Sequence, residues 1–220
     1  MRQSITSKVM RGAPKDRRPA MASPPRRLIV GITGASGAVL GVRILELLAE
    51  SEIETHLVMS KAAEMALAYE TDLKPKDVRA FAKVHHSVMA LGASISSGSF
   101  ETIGMIVAPC SIRTMSEIAT GVTSTLLSRA ADVVLKERRR LVLAIRETPL
   151  HLGHLRTMTS LAEMGAVVAP MAPAFYIRPR SVAEIVDHMA GRLLDLFGIS
   201  TPAVRRWEGE APKRRDDIDG

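Results

Sequence analysis

From Leu28 onward the chain alternates short, nearly unbroken apolar runs with longer stretches whose apolar residues recur at helical spacing. The runs are "LIVGIT" (28–33), "THLVMS" (55–60), "GMIVAPC" (104–110), "LVLAIR" (141–146) and "AVVAPM" (166–171). A strand wetted on one side alternates polar and apolar positions, whereas one covered on both faces does not. These runs therefore predict parallel strands sandwiched between helices. The last helical stretch is the clearest. Ser181 and Glu184 predict a capping box, Val182, Ile185, Val186, Met189, Leu193 and Leu194 form one stripe, and Gly198 stops the helix. Strand then helix, repeated along a chain long enough for one substantial core, predicts a single-domain α/β fold. It is doubly wound, with a mostly parallel sheet and helices on both faces.

Charge adds a boundary to this picture. The net charge of +7 resides in residues 1–27, which hold eight Lys/Arg and one Asp, while the remaining 193 residues balance at 22 against 22. A neutral body, in a chain with only 3% aromatic residues, offers no basic, ring-lined groove for nucleic acid. The expected organisation is a disordered basic leader (1–26), a folded domain (27–207) and a mobile tail (208–220). The leader is Pro- and Arg-rich without an apolar run, so it is neither a secretory signal nor a membrane span. Its low acid content faintly resembles a transit peptide, while Met10 and Met21 allow a later start. The single cysteine, Cys110, forms no intrachain disulfide and suits a reducing, cytoplasmic compartment.

In Rossmann- or flavodoxin-like sheets ligands bind beyond the carboxyl ends of the strands, so the residues that follow each run carry the candidate chemistry. After the first, Gly31, Gly34 and Gly37 give G-x-x-G-x-x-G rather than the G-x-G-x-x-G of dinucleotide sites. The second run ends in Ser60 and Lys61, where an NAD site would place an acid. A hydroxyl and a cation there suit a phosphate or a flavin ring; a plain tight turn would also use these glycines. The third ends in "APCSIRTMSEI", with Ser111, Arg113 and Thr114 at a helix head able to attract an anion. Cys110 beside them is either an activated thiol or a small buried one, and no partnering base is evident.

Three further stretches complete the candidates. "GASISSGSF" (92–100) is a flexible loop that could close over a ligand or serve as a linker. After the fourth run, Arg146 and Glu147 form a charged pair at an apolar strand's edge, costly unless paired or used. Pro149 follows at an expected helix start, and His151 and His154 share one helix face without a third metal ligand. After the fifth run, Tyr176 is either a hydrogen-bond donor to a ligand or a surface ring, and Arg192 either binds a ligand or forms a solvated pair with Asp195.

Together these segments resemble the flavin prenyltransferases of the UbiX/Pad family. "GITGASGA", "HLVMSKAA", "ETD", "SISSGSF", "PCSIRT", "RAADVVLKERR", "RETPLHLGHL" and "PAFY" occur in that family's order and spacing. The resemblance implies binding of FMN and dimethylallyl monophosphate, with the isoprenoid joined to N5 and C6 of reduced FMN and no metal used. The prenylated FMN then serves UbiD-type decarboxylases, including that of the ubiquinone pathway. The implied FMN contacts are Gly34, Ala35, Ser36, Ser60, Ser111, Ile112, Arg113, Thr114 and Arg146. The implied isoprenyl-phosphate contacts are Tyr176 and Arg192, with cations from Arg129 and Lys136. Glu147 is the implied acid/base, Ser36 and Glu70 assist proton handling, and Trp207 lines the site across a subunit boundary. The implied assembly is a homododecamer built from trimers. A related cysteinyl-peptide or phosphopantothenoylcysteine decarboxylase is a competing reading, disfavoured because "PCSIRT" and Ser36-Gly37 stand where that family carries an asparagine motif and a histidine. A non-catalytic FMN carrier would not need Glu147, Tyr176 and Arg192.

Overall fold

A computed structural model describes residues 25–207 and 209; the leader, apart from Pro25 and Arg26, and the tail, apart from Gly209, lie outside the described residues. Six strands form one parallel sheet: β1 (Arg27–Ile32), β2 (Glu54–Met59), β3 (Val84–His86), β4 (Gly104–Cys110), β5 (Arg140–Ile145) and β6 (Val167–Val168). Their order is β3-β2-β1-β4-β5-β6, the doubly wound arrangement that reverses direction between β1 and β4. The helices are α1 (Ala38–Ala49), α2 (Lys61–Glu70), α3 (Pro75–Ala80), α4 (Ile112–Thr120), α5 (Leu126–Lys136), α6 (Leu152–Glu163) and α7 (Val182–Asp195).

The unbroken apolar runs divide by residue parity into two cores. Leu28, Val30 and Ile32 of β1 pack with α1, α2, α3 and α7, while Ile29 packs on the other face with residues of α4, α5 and α6. No helix of the described residues is long and apolar enough to cross a membrane.

Three local expectations change. β3, "VHH", is an edge strand of three residues, too short and too polar to stand out as a run. The fifth run supplies only two regular strand residues, although bonds to β5 continue beyond them: Ala169 N donates to Leu143 O, Ile145 N to Ala169 O and Met171 N to Ile145 O. At α7 the Ser181 hydroxyl accepts from Glu184 N as expected, but the Glu184 carboxylate closes on Arg180 N instead of Ser181 N.

β3 completes a part-buried polar chain centred on the buried His56. Arg27 Nε donates to Glu54 Oε1 at 2.9 Å, the same oxygen lies 2.9 Å from His56 Nε2, and His56 Nδ1 lies 2.9 Å from His86 Nε2. Burial, then the neighbouring His56 and His85, lower the His86 pKa. A histidine held below its unfolded pKa favours the neutral form in the fold. Its stability is therefore full above the unfolded value near ~6.5 and is lost as pH falls through the depressed one. The melting temperature should fall from pH 7 toward pH 5, and His86→Gln should flatten that slope; an unchanged slope in the variant would assign the acid sensitivity elsewhere.

Candidate active site

Thr33, one residue past β1, ties the sheet's centre together. Its hydroxyl donates to Pro109 O at 2.7 Å and accepts from Ser111 N at 2.8 Å, while the residue is 1% exposed. This staple fixes where α4 begins. Ser111 caps α4 by accepting from Thr114 N, and Ser60 caps α2 in the same way through Ala63 N. Among the described residues the remaining first-turn N–H groups, those of Lys61, Ala62, Ile112 and Arg113, have no acceptor within the chain, and both helix dipoles direct their positive ends there.

The two helix heads open into one cavity of about 540 Å³ lined by Gly34, Ser60, Lys61, Ser111, Arg113 and Thr114, with apolar wall from Val88, Met89 and Leu127. Gly34 is required by close approach, since a Cβ there would collide with the Ala62 Cβ. Two helix N-termini, three hydroxyls and two cations form an anion-binding donor set, and the apolar wall and volume suit a ring system behind it. FMN fits this chemistry. Arg113 is mostly exposed and its guanidinium pairs with Glu117 at 2.9 Å, so its charge is partly committed within α4 and the helix heads are the freer donors.

A second cavity of about 420 Å³ lies on the α1/α7 side. Its wall is apolar, from Ala144, Ala169, Met171 and Leu193 among others, with three polar side chains, Tyr176, His188 and Arg192. The glycine turn separates the two cavities: Gly34 lines the first, and a side chain at Gly37 would come within 2.8 Å of Met171 Cε of the second. Ala35 and Ser36 lie on that ridge. Arg146 and Glu147 leave the sheet close by, for Arg146 N donates to Cys110 O and Met171 N to Ile145 O.

Over residues 16–194 the chain matches the flavoprotein family. It is 56% identical over 187 residues to the flavin prenyltransferase UbiX of Escherichia coli strain K12, an alignment covering 84% of this chain and 99% of that one. The chain belongs to the UbiX family of flavin prenyltransferases. The solved structure of AnUbiX in complex with FMN and dimethylallyl pyrophosphate is 50% identical, with a TM-score of 0.84, and covers 85% of this chain and 100% of its own. A dodecameric FMN-dependent UbiX-like decarboxylase from Escherichia coli O157:H7 is also 50% identical, with a TM-score of 0.82 over 83% of this chain and 100% of that one.

Against this UbiX framework the residues singled out in the sequence fall into groups. Gly34, Ser60, Ser111, Arg113 and Thr114 share the first cavity, with Ile112 in the first turn of α4; Tyr176 and Arg192 share the second. Arg146 and Glu147 are exposed at the junction, and Glu147 Oε1 accepts from Thr148 N. Arg129 and Lys136 line neither cavity. They lie on α5, across the sheet from Tyr176 and Arg192, and pair with Asp132 and Glu137. Trp207 packs edge-on against Tyr176 of its own chain, ring centres 5.6 Å apart.

Glu70 has a role that spacing hides. Its carboxylate accepts from Gly37 N at 3.1 and 2.9 Å and from Ala38 N at 2.8 Å, closing the head of α1. The N–H groups that a glycine-rich turn would offer to a phosphate are thus taken by a side chain, and α2 and α4 provide the open helix heads. Cys110 is fully buried, and burial pushes its thiol pKa up, away from thiolate chemistry. His151 is the N-cap of α6, accepting from His154 N with the two rings stacked, so the pair starts a helix and Pro149 precedes it. The Ser/Gly loop contains a 3₁₀ turn (Ser94–Ser96) and is held by Arg139, which donates to Phe100 O and Gly98 O at 2.7 and 2.6 Å. Thr33, Arg139 and His188 were not singled out as site residues by sequence reasoning. A hydroxyl directly after a buried apolar strand was the available signal for Thr33.

Proposed function

We propose that this chain joins a dimethylallyl group from dimethylallyl monophosphate to N5 and C6 of reduced FMN, giving prenylated FMN. The observation that carries the reading is the pairing of the two cavities across one glycine ridge. One has an anion-binding end made of two helix heads; the other is apolar with Tyr176, His188 and Arg192 as its polar groups. Gly34, Ala35, Ser36, Ser60, residues 111–114 and Arg146 hold FMN, whose reduced ring supplies an electron-rich nucleophile. Arg192 and Tyr176 hold the allylic phosphate and receive the charge that develops as its C–O bond breaks, a role that needs no metal. Glu147 moves a proton at the departing phosphate, and Ser36 assists from the ridge. Glu70 acts on this chemistry by fixing the α1 head.

Since Arg129 and Lys136 lie across the sheet, they reach a phosphate only in a neighbouring copy's site. This accords with a homododecamer such as the solved E. coli relative. In this reading the enzyme works in the cytoplasm and supplies a UbiD-type decarboxylase.

The test is anaerobic incubation of the purified chain with reduced FMN and dimethylallyl monophosphate, without metal, followed by mass analysis of the released flavin. The expected product is FMN heavier by one C5 unit. Unmodified FMN released from a folded, flavin-loaded protein would overturn the reading in favour of a carrier or decarboxylase.

A further inference from the structure

The second cavity poses a charge problem. Arg192, the only cation among the described residues that line it, donates to Asp195 Oδ2 at 2.6 Å, and a one-to-one pair would leave little net charge to attract a phosphate. The chain resolves this from outside the helix. Arg206 binds the same carboxylate through both of its terminal nitrogens, Nη2 to Oδ1 at 2.9 Å and Nη1 to Oδ2 at 3.2 Å. Burial alone would raise the Asp195 carboxyl pKa, yet the hydrogen bonds from Arg206 and then Arg192 hold it below the usual aspartate range, so the carboxylate stays charged. Two guanidiniums on one carboxylate leave a net positive charge beside the cavity mouth, and Arg192 retains donors that Asp195 does not use.

Arg206 is held in place by its neighbours. Residues 201–207 run back along the carboxyl half of α7, a path that requires glycine at 191, where a Cβ would meet Val204 and come within 2.8 Å of Thr201 Oγ1. Arg205 Nη1 donates to Ile177 O at 3.1 Å, and Trp207 packs on the Tyr176 ring. The strap therefore touches both polar walls of the cavity, Tyr176 through Trp207 and Arg192 through the shared Asp195.

We propose that Arg206 is a positioning residue for the allylic phosphate: by engaging Asp195 it leaves the charge of Arg192 uncancelled and aimed into the second cavity. The inference rests on the reading of that cavity given above and deepens it. It predicts a compensation that a merely structural strap would not show.

In steady-state assays of the full chain, Arg206→Gln should raise the KM for dimethylallyl monophosphate about tenfold with kcat changed less than about twofold, while FMN affinity is unaltered. Arg206→Lys should recover most of the loss. Adding Asp195→Asn to Arg206→Gln should bring KM back to within about threefold of the parent, because the cancelling carboxylate is gone. An unchanged KM in Arg206→Gln, or a raised KM that Asp195→Asn does not recover, overturns the proposal. Should Arg206→Gln fail to load FMN, Asp195→Asn alone decides: an unchanged or lowered KM supports the proposal and a raised one overturns it. If the parent protein does not alkylate FMN, the functional reading fails first. Calorimetric binding of dimethylallyl monophosphate to the same variants then decides: affinities in the same order support the role of Arg206, and equal affinities overturn it.

Discussion

Glu147→Gln lowers the single-turnover rate of FMN prenylation by about 10²–10³-fold, while FMN loading changes by no more than about threefold. The expectation comes from where the carboxylate stands. Arg146, one residue earlier, is bonded through its N–H to Cys110 O, beside the α4 head of the first cavity. Ile145, two residues earlier, accepts from Met171 N of the second. Glu147 therefore leaves the sheet where the two cavities meet, and it is exposed with only its neighbour Thr148 N on its carboxylate among the described residues. Glu70, the other candidate carboxylate, has both oxygens occupied by the α1 head, so it is poorly placed to move a proton. Glutamine preserves size and can still accept from Thr148 N, but it cannot take up and return a proton. The loss should therefore appear in the chemical step and not in flavin binding. A Glu147→Gln protein that alkylates FMN at the parent's rate would remove this residue from proton handling, whatever its effect on stability.

How far the sequence could be read depended on the distance between partners. Ser60, Ser111 and Ser181 each cap a helix by accepting from an N–H three residues on, so local chemistry alone specifies them. The five apolar runs likewise announced strands buried on both faces. β3 escaped because three residues with two histidines have no period to detect, and its pairing depends on β2 supplying the partner edge. Glu70 carries no local signal of its role, because the N–H group it accepts from at Gly37 lies 33 residues away. Arg129 and Lys136 pose a different problem: they look like members of one site, but the strand order puts α5 and α7 on opposite faces of the sheet. Likewise, the Arg192–Asp195 pair was legible at helical spacing, whereas Arg206 joining it from the strap was not, since that contact depends on the chain turning back after α7.

Thr33→Val should destabilise the protein by about 2–3 kcal/mol, seen as a melting temperature about 5–10 °C lower, and should weaken FMN binding about tenfold. Valine keeps the threonine's shape, so packing against the surrounding residues is preserved and the change isolates the hydroxyl. That hydroxyl makes two bonds in a 1% exposed site, donating to Pro109 O at 2.7 Å and accepting from Ser111 N at 2.8 Å. Pro109 O retains a longer bond from Thr33 N at 3.3 Å, but Ser111 N is left with no partner. A part-buried donor without an acceptor is the costlier loss, and it falls on the residue that caps α4 and lines the first cavity. Relaxation of Ser111 to find another acceptor turns the helix head away from the position in which it faces Ser60 and Lys61, so the stability and affinity losses should occur together. Thr33→Ser separates this cause from packing. It keeps the hydroxyl and removes a methyl group, so it should bind FMN like the parent while losing only about 1 kcal/mol. Equal FMN affinity in the valine and serine variants would show that the staple does not set the geometry of the flavin site.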